Sequence, residues 1–269
     1  MDIKIAAFSL DIVWADPNRN LLTVSEALAI MPEDIDLVVL PEMFTTGFIT
    51  DESSVNRLAE NWAVSPTLNF LKTKAKERNI AICASFLVRD ENGIPRNRCV
   101  FVEPSGEITV YDKHHLFSPS DESRLLEHGT IPSPVVRFRS WNFAMSVCYD
   151  IRFPAWNRNL DYKYDVLLVP ANWPASRGYL WEHLLIGRAI ENQAYVVGAN
   201  RSGMDDFGDY DNLSFIFDYV GKPIGKTITI GNDDSISFSL VVAELSHANI
   251  EKLHRHFPVA KDADRFRFI

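Results

Sequence analysis

Short apolar runs alternate along this chain with longer stretches in which apolar residues return every third or fourth position. The short runs read as buried strands: IKIAAFSL (residues 3–10), DLVVLPE (36–42), IAICASFLV (80–88), YDVLLVPA (164–171) and AYVVGAN (194–200). PVVRFRS (134–140) and WNFAMSVC (141–148) form a pair split by a polar turn. SFIFDY (214–219), KTITI (226–230) and SISFSLVVAEL (235–245) supply more strands, and NRCVFVEPSGEITVYD (97–112) reads as a hairpin turning at Pro104-Ser105-Gly106.

The longer stretches read as helices. They are NRNLLTVSEALAIM (18–31), PTLNFLKTKAKERN (66–79) opened by Pro66, RGYLWEHLLIGRAIENQ (177–193) and SHANIEKLHRHF (246–257). In the third, Trp181, Leu185 and Ala189 are spaced by four and share one face. Alternating strands and helices place helices on the outer faces of a sheet, and the hairpins make that sheet mixed. The strands are too many for one layer, so two packed sheets are expected. No composition break divides the chain, and residues 1–269 read as a single domain.

Composition narrows the partners. The chain is 46% hydrophobic and 23% charged, as globular proteins are, and its net charge of −9 argues against a nucleic-acid backbone or an anionic membrane surface. Asp2 and Asp11 interrupt the N-terminal apolar pattern, which speaks against a signal peptide, and no segment approaches the ~18 apolar residues of a membrane helix. Three cysteines, Cys83, Cys99 and Cys148, form no pairing motif and suit a reducing compartment. A cytoplasmic protein acting on a small molecule is the expectation, with no cofactor or metal.

Three predicted strands run into one ionisable residue each: DLVVLPEMFTTGF into Glu42, ITVYDKHHLF into Lys113, and WNFAMSVCYD into Cys148. Taken singly, a strand-end cysteine is commonly a small core residue, a glutamate after proline a loop carboxylate, and a lysine in DKHH a solvated charge. Together they hold the parts of one mechanism. A thiol needs a base, which a carboxylate supplies, and a tetrahedral oxyanion needs a cation or N–H donors, which a lysine supplies. A Cys–His pair drawing on His114, His115, His128 or His183 is the competing arrangement. His114 and His115 are adjacent, so in a strand they would point apart, a poor start for a metal site.

LPEMFTTGF, YDKHHLF and VCYDIRFP resemble the three signature segments of the nitrilase (carbon–nitrogen hydrolase) superfamily, in the family's order and over nearly the whole chain. The resemblance implies an α+β fold, a four-layer α-β-β-α sandwich with two packed mixed sheets. It carries the roles of a catalytic triad to Glu42, Lys113 and Cys148, and a supporting role to Glu122 in ESRLLEHG. Glu42 would take the thiol proton, Cys148 would attack an amide carbonyl, and Lys113 with the backbone N–H of Tyr149 would hold the oxyanion. Asp150, Arg152 and His115 are expected as paired structural charges.

The segment from ANWP to NRSG, with RAIENQAYVVG inside it, is similar to the omega-amidase branch, whose members hydrolyse the terminal amide of 2-oxoglutaramate. An ω-amido acid needs a cation for its carboxylate. Arg177, at a helix start beside Trp173, is the candidate, a surface cap being the alternative. A nitrile or a carbamoyl amine remains possible as substrate, as does a non-catalytic scaffold. The resembled family also implies a homodimer, its two-fold interface formed by the helix ending in RAIENQ and a helix opened by FPAWNRN.

Overall fold

The structure, a computed structural model, describes residues 2–230 and 238–268. In chain order its strands are Ile3–Leu10 (β1), Leu37–Val39 (β2), Glu60–Asn61 (β3), Ala81–Arg89 (β4), Pro95–Val102 (β5), Ile108–Asp112 (β6), Val136–Phe138 (β7) and Trp141–Met145 (β8). Val166–Ala171 (β9), Tyr195–Asn200 (β10), Gly203–Asp205 (β11), Gly208–Tyr210 (β12), Phe215–Phe217 (β13), Lys226–Ile230 (β14) and Phe238–Leu245 (β15) follow. The α-helices are Pro17–Ile30 (α1), Glu52–Leu58 (α2), Pro66–Arg78 (α3), Glu122–Leu125 (α4), Gly178–Asn192 (α5) and His247–His256 (α6).

Two mixed sheets result. The larger runs β14-β15-β1-β2-β4-β5-β6, with β3 paired to β4, and the smaller runs β13-β10-β9-β8-β7. In each, a parallel centre (β1, β2, β4; β8, β9, β10) is flanked by antiparallel neighbours. Strand β1 shows why the sheets stack. Ile3, Ile5 and Ala7 join the core that spans the two sheets, whereas Ala6, Phe8 and Leu10 join Val24, Leu28, Leu68 and Leu71 of α1 and α3. Both faces are apolar, so both must be covered. On the far side Trp181, Leu185 and Ala189 of α5 are fully buried against the smaller sheet. A Cβ on Gly198 of β10 would come within 2.6 Å of Leu185 Cδ1, so only glycine permits this approach. The layers are α-β-β-α.

The predicted elements fall where the pattern placed them, with instructive departures. Residues 235–237 of the last predicted strand lie outside the described residues. The strand over 141–148 stops at Met145, and Cys148–Arg152 form a 3₁₀ turn instead. The reason is local: Asp150 Oδ2 accepts the Val147 N–H (3.2 Å), so the backbone leaves the ladder. Residues 153–159 form turns and not the expected helix. There Asn157 Nδ2 donates to the carbonyls of Asp150 and Phe153, and Asn159 bonds both backbone groups of Tyr164, competing with helical bonds. The short α2 and α4 and the β11–β12 hairpin have too few residues to show a period, and the sequence reading missed them.

Candidate active site

Glu42 lies just beyond β2, where the chain crosses the seam between the sheets. Its N–H donates to the carbonyl of Ala171 at the end of β9, while the flanking Leu40 and Phe44 N–H groups bond carbonyls of β4. Lys113 follows β6 directly. Its N–H donates to the Asn97 carbonyl and its own carbonyl accepts from Gly129. A Cβ on Gly129 would fall 2.1 Å from the Asp112 carbonyl oxygen, so glycine lets the 120s segment close over the lysine. Cys148 opens its 3₁₀ turn at φ 45°, a left-handed value for a non-glycine residue. Asp150 secures that turn. Its carboxylate accepts from the backbone N–H groups of Val147 and His115, the Tyr111 hydroxyl (2.7 Å) and the His115 ring (2.8 Å).

These three connections converge. Lys113 Nζ donates to Glu42 Oε1 at 2.8 Å and to both Glu122 oxygens at 3.0 and 2.9 Å. Asn97 Nδ2 bridges the same two carboxylates, at 2.8 and 3.1 Å, and Phe117 N–H donates to Glu122 Oε2 at 2.6 Å. The side chains of Glu42, Lys113 and Glu122 are sealed from solvent. Two carboxyls against one ammonium shape the electrostatics. Burial raises the Glu42 carboxyl above its usual range; Lys113 opposes that shift and Glu122 adds to it. Lys113 is raised above its usual value: burial acts to lower it, but the two glutamates prevail. It therefore stays charged. Burial and the Glu42 charge push the Cys148 thiol well up, outweighing Lys113 and the backbone N–H of Asn172. At rest the sulfur is a neutral thiol. Glu42 Oε2 has no hydrogen-bond partner among the described residues, and the Cys148 thiol lies beside its carboxylate. Such a set can take a thiol proton, hold a nascent thiolate and stabilise an oxyanion beside it.

Above Cys148 and Lys113 lies a cavity of about 80 Å³, walled by Phe48, Phe117, Trp173 and Phe207. Phe48 meets Phe117 and Phe207 edge-on at 6.5 and 6.4 Å, so the loops after Glu42 and Lys113 and the β11–β12 hairpin share one aromatic rim. Arg152 and Arg177 also line the cavity. Arg177 packs its guanidinium over Phe117 at 5.3 Å, and Arg152 over Trp173 at 4.9 Å. Neither forms an ion pair with a described carboxylate.

The structure thus brings Glu42, Lys113, Glu122 and Cys148 together and places Tyr149, Trp173 and Arg177 in the wall above them. Arg152 departs from its expected structural pairing: it faces the cavity, because the acid beside it, Asp150, is already taken by His115, Tyr111 and the backbone. Among the described residues no histidine lines the cavity. His183 bonds the Tyr179 carbonyl on exposed α5, and His114 stacks on Trp156 at 3.6 Å. The His114 and His115 rings do not point apart but stand 4.5 Å from each other, since both lie in a bend beyond β6 and not in a strand. Sequence reading missed Asn97, Asn172 and the aromatic rim. Nothing distinguishes these residues in a linear pattern: Asn97 stands between Arg96 and Arg98 at the polar start of its strand, where an asparagine is ordinary.

The carbon-nitrogen hydrolase family model matches residues 4–254. The chain is 39% identical to omega-amidase YafV of Escherichia coli (strain K12) over 269 residues, 98% of each chain. It is 30% identical to 2-oxoglutaramate amidase of Bacillus subtilis (strain 168), over 97% of this chain and 98% of the relative. Among solved structures, XC1258 of Xanthomonas campestris, a CN-hydrolase superfamily protein with an arsenic adduct in its active site, superposes with a TM-score of 0.89 at 31% identity, covering 100% of both chains.

Proposed function

The chain belongs to the carbon–nitrogen hydrolase family, and from that membership we propose that it is an omega-amidase, hydrolysing the terminal amide of small ω-amido acids of the 2-oxoglutaramate and succinamate type to carboxylate and ammonia. The observation that carries this reading is a buried thiol against a buried carboxylate and a buried ammonium, under a cavity lined by two guanidiniums that pair with no carboxylate among the described residues.

In the proposed cycle Glu42 takes the Cys148 proton as sulfur bonds to the amide carbon. Lys113 Nζ and the N–H of Tyr149, the second residue of the 3₁₀ turn, where helical N–H groups lack internal partners, receive the oxyanion. Glu42 then returns the proton to nitrogen, the C–N bond breaks and ammonia leaves a thioester. Glu42 next takes a proton from water, whose oxygen attacks the thioester, and the sulfur departs and recovers that proton. Glu122 and Asn97 keep Lys113 and Glu42 in place. Arg177, with Arg152 near it, draws the substrate's carboxylate to the far wall, against Trp173.

A cytoplasmic homodimer formed as a single domain completes the proposal. Exposed Tyr179 and Ile190 on one face of α5 support the dimer. The deciding experiment is ammonia release from 2-oxoglutaramate, succinamate, a carbamoyl amine and a nitrile. Turnover of the first two well above the others is expected. A clear preference for the nitrile or the carbamoyl amine would overturn the substrate assignment.

A further inference from the structure

Asn172, the residue after β9, is only 7% exposed, and neither its Nδ2 nor its Oδ1 has a hydrogen-bond partner among the described residues. Burying an unpaired amide costs free energy, so an orphaned one in a cavity wall marks a place where a ligand group belongs. Its backbone is fixed on both sides. Its own N–H points to the Cys148 sulfur, and Asn200 brackets the next residue, accepting from Trp173 N–H at 2.7 Å and donating to the Trp173 carbonyl at 2.8 Å. The side chain is therefore held at a set position with its polar edge unused.

The following step rests on the ω-amido-acid reading. The scissile amide already has its partners: Lys113 and Tyr149 N–H for oxygen, and the free Glu42 Oε2 for nitrogen. The remote carboxylate has Arg152 and Arg177. One polar group of a 2-oxo-ω-amido acid remains, the 2-oxo oxygen, and among the described residues Asn172 Nδ2 is the buried side-chain donor of the wall left without a partner. We propose that Asn172 Nδ2 donates to the substrate's 2-oxo group and is a specificity-determining residue for 2-oxo acids over their saturated counterparts.

The test compares 2-oxoglutaramate with glutaramate, the same chain without the 2-oxo group, in wild type and in Asn172→Leu. The variant is expected to lose about tenfold or more in kcat/KM on 2-oxoglutaramate while staying within about threefold on glutaramate. Calorimetric affinities for the products 2-oxoglutarate and glutarate should show the same divergence, independently of turnover. Its Tm should equal or exceed that of wild type, because the orphaned amide is gone. Asn172→Ala gives the same comparison if leucine prevents folding. Equal losses on both substrates, or none on either, would overturn the assignment while leaving the amidase reading intact. A wild-type enzyme that hydrolyses glutaramate but not 2-oxoglutaramate would remove both the 2-oxo-acid substrate and this role.

Discussion

Glu42 and Lys113 meet in an ion pair of 2.8 Å across 71 residues of sequence, with both side chains wholly shielded from water. The lysine also touches both oxygens of Glu122, so a single ammonium serves two buried carboxyls. This imbalance keeps Lys113 charged, holds the Glu42 proton affinity high, and leaves one Glu42 oxygen free for chemistry.

Glu42→Gln preserves shape and removes the base. Because the proposed cycle uses Glu42 in both acylation and deacylation, kcat/KM should fall by at least ~10² while circular dichroism stays unchanged. Cys148→Ala should abolish turnover and Cys148→Ser should nearly do so, since an alcohol is far harder to ionise than a thiol. A folded Glu42→Gln enzyme within about tenfold of wild type would sink the Glu–Lys–Cys assignment.

Lys113→Met should cost ~10²–10³ in kcat, as loss of one oxyanion donor does. It should also cost stability, about 3–5 kcal/mol, because Glu42 and Glu122 lose the cation that compensates their burial. Urea midpoints for the variant should recover part of that loss on acidification, as the two carboxyls take up protons. A variant as stable as wild type at neutral pH would contradict the charge balance described.

Arg177→Ala should raise KM for 2-oxoglutaramate by about ten- to a hundred-fold, corresponding to ~1.5–3 kcal/mol for a charge-assisted contact. An uncharged amide such as butyramide should be far less affected. Equal effects on both would remove Arg177 from carboxylate recognition.

Activity should fall on the acid side with an apparent pKa above the usual glutamate range, because burial raises Glu42 and only its ionised form can accept the thiol proton. Lys113, shifted upward, should contribute no loss of charge through the neutral range. The linked stability effect has one sign for both groups. Each raised pKa means that the folded state holds its proton more tightly, so its contribution is full below the unfolded pKa and is lost as pH rises through the folded one. A pH profile of kcat/KM on an uncharged amide that remains flat down to pH ~4 would exclude Glu42 as the titrating base.

Sedimentation equilibrium should show a dimer at micromolar concentration, and Tyr179→Glu together with Ile190→Glu on α5 should shift it toward monomer. A 30.6 kDa species alone would refute the dimer.

The sequence by itself determined the layered fold and the reactive residue types. Runs such as IKIAAFSL and LVV are apolar on both faces and can only be buried, and the four-residue spacing of Trp181, Leu185 and Ala189 fixes which side of α5 faces the sheet. LPEMF, YDKHH and VCYD named Glu42, Lys113 and Cys148 as a set because short motifs keep their chemistry in linear order. Tertiary structure decided what depends on neighbours distant along the chain. It brought Tyr111 and His115, 39 and 35 residues away along the chain, onto the Asp150 carboxylate that holds the 3₁₀ turn at Cys148. It also set Asn97 between two glutamates and left Arg152, Arg177 and Asn172 facing one cavity, the Asn172 amide without a hydrogen-bond partner and the two guanidiniums without an ion pair among the described residues. Periodicity reports burial, a local property of the chain. Hydrogen-bond satisfaction and charge compensation are properties of the closed three-dimensional set, so they arise only when the two sheets are packed together.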